Sequence, residues 1–414
     1  MATEICNDCD VLIVGGGLVG SLLANALSAL PLSVTLVEAR RVDTLEQPSF
    51  DGRASALANG SQRVLSQLGL WHGIGPEAQP IRHIHIGQRG RFGAARIEAS
   101  EEGVDALGYT VENRVLGAAL WAGLEGRSNF ECMDSAAVTA VDVGADLVRA
   151  RISSEAGSQS VDARLLVAAD GARSPLRESL GIEARIDDYE QCAVIVNCTT
   201  AEPHQGRAFE RFTSNGPIAV LPLTRNRVAI VWVLPPDEAK SMLALDDDAF
   251  RSALQSAFGY RLGSFEAIGH RDMHPLYRLR SDAVVAERAV LIGNAAVALH
   301  PVAGQGFNLA LRDVAALAEL IACEPGIAEG QFDVGGSALL DAYRDWRTKD
   351  QRKLASFTHA LVRGFGNEWP GASGARSLAL MAFDLIPGAK SQLARQTMGL
   401  GGRVPRLARR MSLS

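Results

Sequence analysis

With 414 residues, 47% of them hydrophobic, the chain can bury a large core and divide into two or three domains. Lys and Arg number 41 against 47 Asp and Glu, and this net charge of −6 argues against nucleic acid as a partner, because phosphate binding needs a clustered basic field. The six scattered cysteines fit reduced thiols better than a disulfide framework, no signal-peptide pattern opens the chain, and no apolar run reaches the ~18 residues of a spanning helix; together these predict a cytoplasmic protein.

Cys6-Asn-Asp-Cys9 is a CxxC without a second ligand pair nearby, so no metal site is expected there. Asp10-Val-Leu-Ile-Val14 reads as a buried parallel strand, and Gly15-Gly-Gly17-Leu-Val-Gly20 follows it at once, opening a helical run from Leu22 to Leu30. A second strand, Ser33–Val37, ends in Glu38, roughly 20 residues beyond the glycines, where a dinucleotide site requires an acidic acceptor for ribose hydroxyls. Gly15 permits the tight turn, Gly17 lets backbone approach a pyrophosphate, and Gly20 allows helix to pack on strand. Strand-like pieces follow at His83–Ile86, then a helix around Arg114–Leu124 and a strand at Ala163–Ala169. That strand runs into Ala169-Asp-Gly-Ala-Arg-Ser-Pro175, where Asp170 and Gly171 signal a turn and Arg173 brings a cation to a strand's carboxyl end. His83 and His85 share one strand face, which without a carboxylate partner reads as sheet surface.

Short apolar runs at Cys192–Val196, Ala219–Leu221 and Val228–Val233 predict a second, antiparallel sheet. Ala289–Ile292 returns to the first domain and enters a glycine-rich loop in which Gly304 and Gly306 flank Gln305 and Asn308 opens an amphipathic helix. Beyond residue 336 the pattern is helical, with Leu339, Leu340, Tyr343, Trp346 and Arg347 on one element. From Lys390 onward, Arg395, Arg403, Arg406, Arg409 and Arg410 mix with Leu393, Met398, Leu400, Val404, Leu407 and Met411 without an acid; this suits either a membrane-surface contact or a helix packed on the domain. The expected fold class is α/β (α+β overall). A Rossmann-like nucleotide-binding domain takes 1–75, 105–185 and 280–340, an inserted antiparallel β-sheet substrate domain takes 76–104 and 186–279, and a C-terminal helical region takes 341–414.

The N-terminal G-x-G-x-x-G with Glu38, the middle D-G-A-R-S-P and the later G-N-A-A…P-x-A-G-Q-G-x-N resemble, in order and spacing, the single-component flavoprotein aromatic hydroxylases over nearly the whole chain. Phe50-Asp-Gly-Arg-Ala-Ser-Ala-Leu57, Val111-Glu-Asn-Arg-Val-Leu116, Phe209-Glu-Arg-Phe212, Tyr343-Arg-Asp-Trp-Arg347 with Asp350, and Arg395-Gln-Thr-Met-Gly399 are similar to the ubiquinone-biosynthesis branch. Asn294 with Leu299-His-Pro-Val-Ala-Gly304 looks most like the 2-polyprenyl-6-methoxyphenol hydroxylases of UbiH type. The wider family usually carries Asp at the position of Asn294; an amide still donates and accepts there.

The resemblance implies FAD as cofactor, NAD(P)H and O2 as cosubstrates, a C4a-hydroperoxide as oxygen donor and a prenylated phenol as acceptor. It places Gly15, Gly17 and Gly20 at the pyrophosphate, Glu38 at the adenosine ribose, and Arg53 with Asn113 on FAD, Arg114 competing with Asn113. Asp170 falls near the diphosphate or ribityl chain, Asn294 at the ribityl hydroxyls, and the loop with Gly304, Gly306 and Asn308 beside the isoalloxazine. A phenol of pKa ~10 is scarcely ionised at neutral pH, so an acceptor at its hydroxyl would help. His300 is the residue expected there, with Pro301 and Gln305 the other catalytic candidates of the loop. A polyprenyl tail keeps its substrate in the bilayer, so peripheral contact with the inner face of the cytoplasmic membrane and with other ubiquinone-biosynthesis proteins is also implied. Because a fold does not choose its substrate, a hydroxylase of a sister intermediate or of a small soluble aromatic stays open, as does a flavin-binding scaffold without turnover.

Overall fold

A computed structural model describes residues 8–42, 53–91, 93–301, 304–327, 332–366 and 386–413; Cys6, Phe50–Gly52 and Val302–Ala303 of the motifs above lie outside them. The chain begins with β1 (Cys9–Val14), the glycine turn, α1 (Leu18–Leu27) and β2 (Val34–Val37). It continues through β3 (Ala54–Ala58), α2 (Asn59–Gln67), α3 (Trp71–Ile74), β4 (Gln79–Ile81), β5 (His83–Gln88), β6 (Ala94–Glu98) and β7 (Gly108–Glu112). Next come α4 (Asn113–Ala122), β8 (Phe130–Met133), β9 (Ala136–Val143), β10 (Val148–Ser154), β11 (Gly157–Ala168) and α5 (Pro175–Ser179). A long meander follows, β12 (Ala184–Thr200), β13 (Arg207–Phe212), β14 (Pro217–Leu223) and β15 (Arg227–Leu234), then α6 (Pro236–Ala244), α7 (Asp247–Phe258) and β16 (Phe265–Ser281). Finally β17 (Val285–Ala286), β18 (Ala289–Leu291) and β19 (Val297–Ala298) lead to α8 (Gln305–Ala322), α9 (Ser337–Gly366) and α10 (Pro387–Thr397).

The first sheet is parallel in the order β18-β11-β1-β2-β8, covered by α1 packed on α8. Both faces of β1 and β2 are buried, which explains why they read as unbroken apolar runs rather than alternating ones. The carboxyl ends of β1, β2 and β11 lie together, with Gly15, Glu38 and Ala169 one residue beyond each, so the three nucleotide motifs meet at one edge. The first half of β11 also carries the antiparallel β9 and β10, which the sequence reading did not foresee.

The second sheet runs β19-β16-β12-β15-β14-β13-β5-β6. It departs from the expected antiparallel pattern at one junction, where β5 pairs parallel to β13; strands from such distant segments are free to meet in either sense because no hairpin joins them. β4, in the segment 76–104 assigned to the substrate domain, pairs with β7 in a small sheet β3-β7-β4. The helices α6 and α7 cover one face of the second sheet, with Phe250, Leu254 and Phe258 in its core. The other face is turned toward the first domain.

Two local expectations need correction, and an open one is decided. The α8 helix starts at Gln305, three residues before Asn308, because Gly304 at φ +59° supplies the left-handed residue that precedes it. His83 does have a carboxylate partner, Glu98 of β6, opposite it in register. Of the two readings of the C-terminal stretch, packing on the domain accounts for most of its apolar residues: Ala394 and Met398 are buried with Ile97 and Leu107, and Leu407 joins the main core, while Met411 stays exposed. The Tyr343–Arg347 motif fastens α9 to α8. Arg347 is fully buried, its guanidinium 2.7 Å from Asp313 and 2.8 Å from Asp350, and loss of the buried Asp313 would leave the cation only the more exposed Asp350.

Candidate active site

A cavity of about 1030 Å³ opens between the carboxyl ends of β1 and β11, the loop before α8, one face of the second sheet, and α10. Its two halves differ in chemistry. At the first, Gly15 sits at φ +107°, and a Cβ there would lie 2.4 Å from the Ala169 carbonyl oxygen; one on Gly20 would lie 1.9 Å from that of Gly15. Only glycine allows this turn to close against the neighbouring strand. Glu38 accepts hydrogen bonds from Gly16 N–H at 2.5 Å and Arg40 N–H at 3.0 Å, which fixes its carboxylate on the cavity wall.

Of the expected cofactor residues, Gly15, Gly17, Glu38, Arg53, Asn113, Asp170, Asn294, Gly304 and Gly306 line this one cavity. Asn113 lines the cavity and is held by Ser55, whose hydroxyl donates to Oδ1 at 2.7 Å, whereas Arg114 is off the lining and pairs with Glu112 at 2.9 Å. Arg173 is exposed and off the cavity. The cation that matters structurally is Arg177, buried, donating to the carbonyls of Ala172 and Ala295 and so tying the Asp170 turn to the Asn294 turn. Gly20 lies behind the wall. Asn308 lies there too: Oδ1 accepts from Ala58 N–H and the Ser61 hydroxyl, and Nδ2 donates to the carbonyls of Ala56 and Gly304, all at 2.7 Å. Its amide is consumed in clamping the loop to β3, not in facing a ligand.

The catalytic candidates separate. Pro301 lines the cavity, but Gln305 is buried away from it, its amide directed at the Thr397 carbonyl, and His300 is 1% exposed with its ring edge-on to Tyr189. Burial lowers the His300 pKa to about 4, so the imidazole is neutral at pH 7 and shut off from the cavity.

The second half of the cavity is an apolar sheet face. Ile84 and Ile86 of β5, Ala95 and Ile97 of β6, Ala219 and Leu221 of β14 line it, opposite Leu299, Pro301 and Phe307 of the loop. α10 adds Leu393 and Thr397, so the C-terminal stretch is a wall of the site. In this face stands Glu210, which sequence reasoning passed over as part of a resemblance. Burial among apolar groups raises its carboxyl to about 7.

The chain matches the FAD binding domain family over residues 8–358. It is 38% identical to a ubiquinone hydroxylase, UbiL, of Rhodospirillum rubrum, with 98% of this chain and 93% of that protein aligned. It is also 29% identical to the 3-demethoxyubiquinol 3-hydroxylase of Escherichia coli, covering 94% and 98% of the two. This chain belongs to the FAD-dependent monooxygenases of the ubiquinone hydroxylase family. The p-nitrophenol 4-monooxygenase PnpA of Pseudomonas putida shares the fold of this monooxygenase, with a TM-score of 0.78 at 20% identity over 95% of this chain and 99% of that one.

The residues of this monooxygenase fit FAD on their own geometry. Asp170 Oδ1 is buried at the cavity wall without a hydrogen-bond partner among the described residues, ready for a ligand hydroxyl. A Cβ on Gly306 would meet nothing within 4 Å, leaving one side of the loop open to a flat ring. Both features suit a dinucleotide with a planar head group.

Proposed function

We propose that this monooxygenase hydroxylates the ring of a polyprenylated phenol in ubiquinone biosynthesis, with 2-polyprenyl-6-methoxyphenol as its substrate. The observation that carries this reading is the apolar face of the second sheet, continuous with the glycine-lined end of the same cavity. Isoleucines, leucines and alanines on that wall suit an aromatic ring with an isoprenoid chain, at roughly 25 cal/mol for each Å² of apolar surface removed from water.

When bound, FAD would supply the redox chemistry, passing electrons from NAD(P)H to O2. The chain supplies the rest. Gly15 and Gly17 would hold backbone against a pyrophosphate, Glu38 would accept from the adenosine ribose, Arg53 and Asn113 would flank the cofactor, and Asp170 and Asn294 would serve the ribityl chain. Pro301, Gly304 and Gly306 would line the flavin end of the cavity, where Leu299, Phe307 and Leu393 would exclude water.

Among the described residues no helix is long and apolar enough to cross a membrane. Peripheral contact at the inner face of the cytoplasmic membrane is proposed through charge, at a second groove of about 840 Å³ where Arg312, Lys349, Lys353, Arg395 and Arg403 outnumber Asp345 and Asp350. The apolar side chains of α10 are already committed to the fold. Lipid analysis of a strain lacking the gene tests the substrate: a prenylated 6-methoxyphenol should accumulate, and unchanged quinone would overturn the reading. Charge reversal at Lys353 and Arg395 should lower recovery on vesicles rich in anionic lipid, leaving bound FAD unchanged.

A further inference from the structure

The register of the second sheet places five cavity-lining residues in a single row across five strands: Ala95, Ile86, Glu210, Ala219 and Val231. Glu210 is at the centre. Its neighbours on both sides, and those one step along β5 and β13, Ile84 and Ala208, are apolar. The charged groups lining the same cavity, Glu38, Arg40, Arg53 and Asp170, belong to the nucleotide end, and none contributes to the state of Glu210, which is governed by burial alone. No described residue gives its carboxyl a hydrogen bond or an ion pair. Arg211, next in sequence, points to the opposite face by strand alternation. A desolvated acid in an apolar row opposes folding once ionised, and its free direction is the cavity.

We propose that Glu210 is the catalytic residue that takes the hydrogen bond, and during oxygen transfer the proton, of the substrate's ring hydroxyl. This rests on the reading of the cavity as a phenol site and fills the role for which His300 is misplaced. As a ring carbon gains an oxygen atom from O2, the hydroxyl proton passes to the Glu210 carboxylate and the ring becomes a dienone. That carbon then sheds its hydrogen as a proton, and the ring oxygen recovers a proton from the Glu210 carboxylic acid. The second oxygen atom leaves as water, its two electrons supplied by NAD(P)H. A group near neutrality can perform both halves of this exchange at pH 7, which an ordinary carboxylate could not.

The test compares wild-type holoenzyme with Glu210→Gln and Glu210→Asp, using a short-chain prenylated 6-methoxyphenol and a series of ring-substituted phenols. In Glu210→Gln, bound FAD and the rate of flavin reduction by NAD(P)H should stay at wild-type values. Product per NAD(P)H consumed should fall at least tenfold, with peroxide released instead. The rise of wild-type hydroxylation through about pH 7 should vanish, Glu210→Asp should keep part of the activity, and the deficit should shrink as the phenol becomes more acidic. A Gln variant that retains coupling and the wild-type pH profile overturns the proposal, as does a deficit independent of phenol acidity. If wild type ignores the prenylated phenol yet hydroxylates a soluble one through Glu210, the substrate reading fails and the assignment of Glu210 stands.

Discussion

The two halves of the cavity are built by opposite strategies. At the nucleotide end, shape is set by backbone: Gly15 and Gly20 admit no side chain, and hydrogen bonds such as Gly16 N–H to Glu38 fix the polar groups. On the sheet face, shape is set by side chains on a flat wall, with strand pairing deciding which ones meet. A backbone-built site tolerates almost no substitution. A side-chain wall can be retuned residue by residue while the fold persists, which is how one scaffold serves several aromatic substrates.

Substitutions should divide along that line. Gly20→Ala, whose Cβ has no room beside the Gly15 carbonyl, should cost about 4 kcal/mol or more and abolish FAD retention, read as flavin absorbance per chain. Asn308→Ala removes an amide that serves four groups between the loop and β3 and should cost about 3 kcal/mol in denaturant unfolding, with weakened FAD binding; normal stability would show that the clamp is dispensable.

Two buried titratable groups give opposite pH dependences. Glu210 is raised from 4.5 to about 7, so its contribution is fully present below pH 4.5 and is lost as pH rises through about 7. Glu210→Gln should therefore be more stable than wild type at pH 8, by on the order of 2 kcal/mol after allowance for its opening to the cavity, and equal to it at pH 4.5. His300 is lowered from 6.5 to about 4; its contribution is present above pH 6.5 and is lost as pH falls through about 4, so His300→Gln should flatten the acid limb of the stability curve and leave coupling intact. Smallest is Ile86→Ala on the apolar wall: KM for a prenylated substrate should rise about tenfold while bound FAD is unchanged. Loss of FAD in that variant would erase the distinction between the halves.

The same division decides what was legible in the sequence. β1, the glycine turn and Glu38 are local in the chain, so their spacing announced them, and the Asp170 and Asn294 turns were equally readable. Asn308 was visible as a motif residue, but its bonds to Ala58 and Ser61 span about 250 positions and could not be inferred. Glu210 was hidden for the same reason: in the string it is one acid in a polar-looking strand, and only pairing with segments far along the chain surrounds it with Ile86 and Ala219. His300 failed in reverse, since adjacency to the flavin loop does not say which way a ring turns. The parallel junction of β5 and β13, which no turn signals, is the step that sequence pattern could not supply.

The turn joining β13 to β14 has a consequence for evolution. Thr213 donates from both its N–H and its hydroxyl to the Gly216 carbonyl, and this closure sets the phase of β13 against β14. Because successive side chains alternate between faces, one residue inserted or deleted between Glu210 and this turn would bury Glu210 under α7 and present Arg211 to the cavity. The acid's presence in the site is thus a matter of parity, so a change in the length of the strand could silence the chemistry while leaving every amino acid of the wall in place.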